Sequence, residues 1–390
     1  MIKHLSVFNK KIIFILFAFF AIASPVFAQL QFETRAPFAI LMDYESGTIL
    51  FQKQAKEKME PASMAKMMTI AVTLDLLKKG RLSPDDEFFV SEYAWREGGA
   101  ASGGSTMFAK LNSKIKVIDL LRSVIIQSGN DASIVLAEGI GGTEETFANI
   151  MNDMADEIGL TGSNFTNSTG LPDDNQYVTP YDLALLARYI IKEFPDYYSI
   201  FSEPAFEWNG IKQSNRNTLL SMDIGVDGLK TGHTEASGYG EVISSTEGGR
   251  RLIAVLHGME SIKQRSEEAR KLITWGTRSF ESIKAYSDGE VVADIPVYGG
   301  VQARVELVGD GDILLYIPKG SKKCLSVNVV YNSPIRPPVV EGDKLAQLQI
   351  KCNKQLIQST DLYANHSVEK GSLVRRASDA LKELAIGWMK

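Results

Sequence analysis

The pattern of apolar residues changes character near Tyr286, and that change constrains the fold more than any other feature of the chain. Before it, helical spacing and strand-like runs alternate; after it, short strand-like runs dominate until the last residues. Residues 291–296, 303–307, 313–317, 325–331 and 344–350 are such runs, separated by Gly, Pro and Asp turns, and they predict a small all-β domain over 286–372. With 390 residues the chain is long enough for two bodies and a sizeable core.

Upstream, residues 39–43 and 47–51 read as a β-hairpin around Tyr44-Glu45-Ser46. An apolar helix follows, with Met64, Met67, Met68, Ala71, Leu74 and Leu77 at helical spacing and Gly80 as its stop. Residues 117–127 form a second apolar helix. Residues 131–137 resume helical character until Gly139, Gly141 and Gly142 break it. Residues 147–158 and 181–193 are amphipathic, the latter led by Pro180 with Thr179 as cap. Residues 241–245 and 252–257 read as consecutive strands of one antiparallel sheet, and 266–280 as a long closing helix. Helices followed by clustered strands, with the N-terminal hairpin joining that sheet, predict an α+β architecture over 29–285.

The two ends have separate roles. Lys3, Lys10 and Lys11 precede an apolar run over 12–23, and Val26-Phe27-Ala28 has the form of a cleavage site, so 1–28 reads as a signal peptide. Its three Lys and no acids mean that removal takes the formal charge from -5 to -8. An acidic chain without a basic patch excludes a nucleic-acid partner. Over 373–390, Leu373, Ala377, Leu381, Leu384 and Trp388 form one stripe, with Arg375, Arg376, Lys382 and Lys390 on the polar side. Such a stripe can dock on the β domain or lie in a lipid headgroup boundary; Trp with flanking Lys and Arg favours the membrane. The segment is too short and too polar to span a bilayer. Cys324 and Cys352 can pair in an oxidising compartment, but spacing leaves the pairing open. Neither has metal-ligand company, and no metal or organic cofactor is implied.

Three short motifs fall in order along the catalytic part. Ser63-Met64-Ala65-Lys66 starts the first apolar helix, so hydroxyl and amine share one helical face. Ser128-Gly129-Asn130 ends the second, and Lys230-Thr231-Gly232 lies in a strand that continues to His233. Other Ser-x-x-Lys pairs, Ser113/Lys116 and Ser367/Lys370, lack this context. The Gly-rich loop at 98–105 lacks the Lys-Ser/Thr of a phosphate cradle and reads as a wall beside the site. No Gly-x-Ser-x-Gly competes as a nucleophile motif.

This set of motifs is shared by penicillin-binding proteins and class A β-lactamases. Over nearly the whole mature length, the chain resembles the low-molecular-mass penicillin-binding proteins, D-alanyl-D-alanine carboxypeptidases of the penicillin-binding protein 5 type. The resemblance includes the local wording Gln127-Ser128-Gly129-Asn130-Asp131-Ala132, the run from Val226 to His233, the β domain and the terminal amphipathic helix. It implies a periplasmic enzyme, held peripherally at the inner membrane, that removes the terminal D-alanine from peptidoglycan stem peptides and is acylated by β-lactams. Ser63 is then the nucleophile, Lys66 its base, and Ser128 the proton carrier to the leaving amine. Lys230 supplies charge and orients Ser128, while Asn130 holds Lys66 and the peptide amide. Thr231 and Arg216 take the terminal carboxylate, and the N–H groups of Ser63 and His233 form the oxyanion hole beside Gly232. Arg265 matches a further basic position, with a surface salt bridge as its competing role.

Class A β-lactamases carry Ser-Asp-Asn and a loop Glu that activates the deacylating water. Here Gly129 occupies the middle position and 161–170 holds no Glu, which sets β-lactamase behind carboxypeptidase. A D,D-endopeptidase shares the motifs and is separated by its products. A non-catalytic wall-binding module is disfavoured because Ser63, Lys66 and Lys230 are all present.

Overall fold

The computed structural model describes residues 32–319, 325–352 and 355–386. The signal-peptide segment, Cys324 and the last four residues, Trp388 and Lys390 among them, lie outside these. Strands β1 (Phe38–Asp43) and β2 (Ile49–Lys53) form the expected hairpin. A 3-10 turn, Ala62–Ala65, then leads into α1 (Lys66–Lys78). Next come β3 (Glu87–Phe89), α2 (Glu92–Glu97), β4 (Lys114–Lys116), α3 (Val117–Arg122), α4 (Asn130–Gly141), α5 (Glu144–Ile158), α6 (Pro180–Glu193) and α7 (Pro195–Tyr198). The hairpin β5 (Ala205–Trp208) and β6 (Ile211–Ser214) precedes β7 (Val226–Thr234), β8 (Gly238–Ser245), β9 (Leu252–Met259) and α8 (Ile262–Ser279).

The main sheet is antiparallel in the order β2-β1-β9-β8-β7, so the N-terminal hairpin joins the late strands as expected. One face packs Ile40, Val242, Ile253 and Val255 against α1, α4 and α6. The other packs Leu41, Ile243 and Ala254 against Ala269, Leu272 and Ile273 of α8. Burying each such aliphatic side chain contributes about 1.5–3 kcal/mol. Helix α1 is buried nearly all round, not along one stripe, because the sheet and helices enclose it. Thr69 and Thr73 remain tolerable there because their hydroxyls donate to the Ser168 and Thr69 carbonyls.

Two helices differ from their sequence reading. The second apolar helix changes at Ser123 into a wider π-helical turn that ends at Ser128, which is left-handed at φ 62°. Helix α4 runs through Gly139 and stops only at Gly142. The ring of Phe88 occupies the place where a Gly139 side chain would stand, so the glycine serves packing there.

The β-rich part begins directly after α8 with β10 (Phe280–Tyr286), which pairs with β13 (Ile313–Pro318). Its larger sheet contains β11 (Ala293–Pro296), β12 (Arg304–Val308), β14 (Leu325–Tyr331), β15 (Lys344–Cys352) and β16 (Gln355–Ala364), in the order β11-β12-β16-β15-β14. Arg250 links the two parts. Its Nε meets the buried Asp43 carboxylate at 3.0 Å, and its guanidinium lies 4.3 Å from the Tyr316 ring centroid. Helix α9 (Leu373–Ile386) follows, with Asp379 accepting from the Gly299 N–H.

Candidate active site

The nucleophile motif sits where α1 begins. Ala62 has φ 48°, an unfavourable value for a residue with a side chain, and this bend presents Ser63 half-exposed ahead of the helix. Lys66 is fully buried, with Nζ 3.0 Å from Ser63 Oγ. Two other acceptors hold the same nitrogen: Asn130 Oδ1 at 2.7 Å and the Thr169 carbonyl at 2.5 Å. Burial, then the Arg216 charge, bring the Lys66 ammonium down to about 7, against the smaller upward pull of Asp131 and Glu144. A neutral amine has two hydrogens and one lone pair. With Asn130 and Thr169 taking the hydrogens, the lone pair is left for the Ser63 hydroxyl.

Ser128 and Lys230 make the second pair. Lys230 Nζ donates to Ser128 Oγ at 2.9 Å and to the Thr231 carbonyl at 3.0 Å. Burial holds this ammonium well below its usual range, and the Lys66, Arg216 and Arg265 charges add to the effect. The left-handed Ser128 lies at the end of the π-helical turn, so the backbone change at 123–127 is what sets its side chain in the site. Asn130 opens α4 immediately after, and its oxygen reaches across to Lys66.

Strand β7 supplies the open edge. Gly232 passes the nucleophile turn so closely that an added Cβ would stand 3.1 Å from the Pro61 carbonyl oxygen and 3.2 Å from Ala62 Cβ. Thr231 is nearly buried beside Lys230, while His233 is exposed and stacks on Tyr239 at 3.9 Å between centroids. Arg216 is exposed, and its Nε donates to the Gln127 carbonyl at 2.9 Å. Arg265 lies behind it and is not at the surface: it is 4% exposed, pairs with Glu241 and donates to the Arg216 carbonyl. The alternative Ser-x-x-Lys pairs are unlike this: Lys116 is an exposed partner of Asp85, and Ser367 accepts from the Glu341 N–H.

Several groups that build the site carried no recognisable motif. The Thr169 carbonyl belongs to a loop whose Ser168 is held by Glu144 Oε1, from both its N–H at 3.1 Å and its hydroxyl at 2.6 Å. Asp131 is buried and accepts from Thr106 Oγ1, Met107 N and Ala109 N, which pins the loop after the glycines. A charged residue directly after Ser-x-Asn, ahead of the apolar run over 134–137, was the available signal. His257 is buried and kept neutral by burial at about 4, and neither ring nitrogen has a partner among the described residues, so this imidazole does not serve Ser63. Among the described residues no group of His, Cys, Asp and Glu is arranged to hold a metal.

A serine within hydrogen-bond reach of a buried lysine, beside a second serine–lysine pair, is the geometry that acyl-transfer hydrolases use, and comparison with known proteins narrows the class. Residues 25–261 match the D-alanyl-D-alanine carboxypeptidase family, and 280–370 match the C-terminal domain of penicillin-binding protein 5. The chain is 35% identical over 352 residues to D-alanyl-D-alanine carboxypeptidase DacA of Escherichia coli (strain K12), covering 90% of this chain and 87% of that protein. DacA of Haemophilus influenzae is 37% identical over 345 residues, with 88% and 87% covered. The crystal structure of penicillin binding protein 5 from Haemophilus influenzae superimposes with a TM-score of 0.75 at 36% identity, over 87% of this chain and 99% of that one. Penicillin-binding protein D2 from Listeria monocytogenes, in the ampicillin bound form, matches 64% of this chain and 100% of its own at 27% identity, TM-score 0.56. The chain belongs to the D-alanyl-D-alanine carboxypeptidase family of serine hydrolases.

Proposed function

We propose that this protein removes the terminal D-alanine from peptidoglycan stem peptides through an acyl-enzyme on Ser63. The observation that carries the reading is the Lys66 nitrogen, buried, bonded to two fixed acceptors and 3.0 Å from Ser63 Oγ. Ser63 Oγ attacks the carbonyl of the penultimate D-alanine as Lys66 takes its proton. The oxyanion is met by the Ser63 and His233 N–H groups, a placement supported by the close passage of Gly232 past Pro61 and Ala62. Collapse expels the D-alanine amine, which receives through Ser128 the proton that Lys66 took, with the Lys230 nitrogen holding the Ser128 hydroxyl in place. Water then cleaves the ester. Thr231 and Arg216 hold the substrate's terminal carboxylate, the arginine through its two Nη groups.

A β-lactam presents an acylating carbonyl and a carboxylate to the same groups and esterifies Ser63. Glu144 spends Oε1 on the Ser168 N–H and hydroxyl and takes the Tyr93 hydroxyl on Oε2, and the loop over 161–170 carries no Glu of its own, which favours a peptidase over a β-lactamase. The protein works in the periplasm after export, and its terminal amphipathic helix lies on the inner membrane. The exposed Leu373, Val374 and Leu381 of α9 support that location, and no described helix is long and apolar enough to cross a bilayer.

The test gives the mature chain a fluorescent penicillin and, separately, diacetyl-lysyl-D-alanyl-D-alanine. Label on the Ser63 peptide with release of D-alanine, both lost in Ser63→Ala, is the expected result. Label without D-alanine release from this peptide, but with cleavage of crosslinked dimers, overturns the carboxypeptidase in favour of an endopeptidase.

A further inference from the structure

Glu241 is a buried carboxylate that the reaction does not use. It sits on β8 directly across from Thr231 of β7, with no exposure to solvent. Its single charged neighbour is Arg265 of α8, whose Nε lies 3.2 Å from Oε2, an ion pair without hydrogen-bond alignment. Among the described residues neither Glu241 oxygen has a hydrogen-bond donor. Such a pair is a poor way to stabilise a fold, because desolvating two charges offsets their attraction and an apolar pair of the same volume does as well.

What the pair does is visible one step outward. Arg265 Nη2 donates to the carbonyl of Arg216 at 2.9 Å, and Arg216 Nε donates to the carbonyl of Gln127 at 2.9 Å, the residue before Ser128. The side chains of Asn215 and Asn217 fix the loop on either side, to the Phe201 and Glu203 carbonyls and the Gly228 carbonyl. Arg216 itself is exposed, and its Nη groups make no hydrogen bond to the described residues. Two guanidinium groups so close repel, and only one of them is matched by an acid.

We propose that Glu241 is a positioning residue for recognition of the substrate's terminal carboxylate. By pairing with Arg265, it holds that guanidinium on the Arg216 carbonyl and leaves Arg216 as the exposed cation beside Ser128. The inference rests on Arg216 as the carboxylate receptor, so the test includes that residue.

Glu241→Gln, Arg216→Met and the double variant Glu241→Met/Arg265→Met are compared with the natural chain. KM and kcat are measured on diacetyl-lysyl-D-alanyl-D-alanine. Rates of Ser63 acylation are measured with a penicillin and with its methyl ester, and melting temperatures are recorded. Glu241→Gln raises KM about tenfold, the scale of one charge-assisted contact, with kcat within about twofold. Its acylation slows with the acid and not with the ester. The double variant melts at or above the natural temperature yet keeps the raised KM. Equal slowing on acid and ester overturns the inference, as does a double variant that recovers both stability and KM, since the pair is then structural only. If Arg216→Met slows the acid selectively and Glu241→Gln does not, the inference alone falls. If Arg216→Met shows no selectivity, the reading of Arg216 as receptor falls and the inference with it.

Discussion

The two parts of the molecule place their charges in opposite ways. In the catalytic part, Lys66, Lys230, Asp131, Glu241 and Arg265 are each at most 4% exposed. In the β domain the ion pairs Lys284–Asp312, Arg304–Asp294 and Lys344–Asp361 stand at the surface. Gln358 is the buried polar side chain among its described residues, and it bonds the Tyr316 N–H and the Leu314 carbonyl. A buried charge changes its affinity for protons; a solvated one mostly does not. One region therefore gives up stability for reactivity, while the other keeps its charges where they serve solubility and cost little.

Three experiments break or sharpen that contrast. Lys66→Met has the largest effect: acylation of Ser63 by penicillin falls by about 10³-fold or more, since base and lone pair vanish together. A loss below tenfold in stopped acylation assays would show that the buried amine is not the base. Next is pH. In the proposed mechanism Lys66 acts as the free amine, and with burial bringing it down to about 7 the active form is present above that pH and disappears below it. Acylation measured across pH 5 to 9 rises about tenfold per unit until near 7 and then levels. A profile flat through this range contradicts the assignment. The smallest effect belongs to the β domain. Lys344→Met, removing an ion pair whose lysine is 53% exposed, leaves acylation unchanged and shifts the melting temperature by under about 2 °C. A larger shift would mean that the surface charges of this domain are structural after all.

Much of this organisation was legible in the residues. The hairpin of β1 and β2, the pairing of β8 with β9 and the capping of α6 by Thr179 followed from alternation and turn chemistry, and each is present. The three motifs, far apart in sequence, meet in the fold: Lys66 reaches Ser63 and Asn130, and Lys230 reaches Ser128. Other elements left fainter traces. The β5–β6 hairpin turns at Asn209-Gly210, a strong hairpin signal, but Glu207, Lys212 and Gln213 mask the apolar alternation. Strand β16 carries Gln, Ser, Thr and Asp through its length and is a strand because β15 and β12 pair with it on both sides. Arg265 reads as a charge on an exposed helix; only the fold brings Glu241 beneath it. Local propensity could not show these, because the neighbours that decide them are distant in sequence.

One detail of the site has a bearing on how such an enzyme varies. The acceptor at 2.5 Å that orients the Lys66 amine is the Thr169 main-chain oxygen. No codon specifies a carbonyl. Exchange of residue 169 leaves the atom in place, so point substitution there has little purchase on the base. Gly170, whose Cβ would fall 1.9 Å from the Ala62 carbonyl oxygen, closes the neighbouring route as well. Drift that retunes the base through this loop therefore has to change its length or its path, and inserted or deleted residues between 161 and 178 are where divergence in rate would be written.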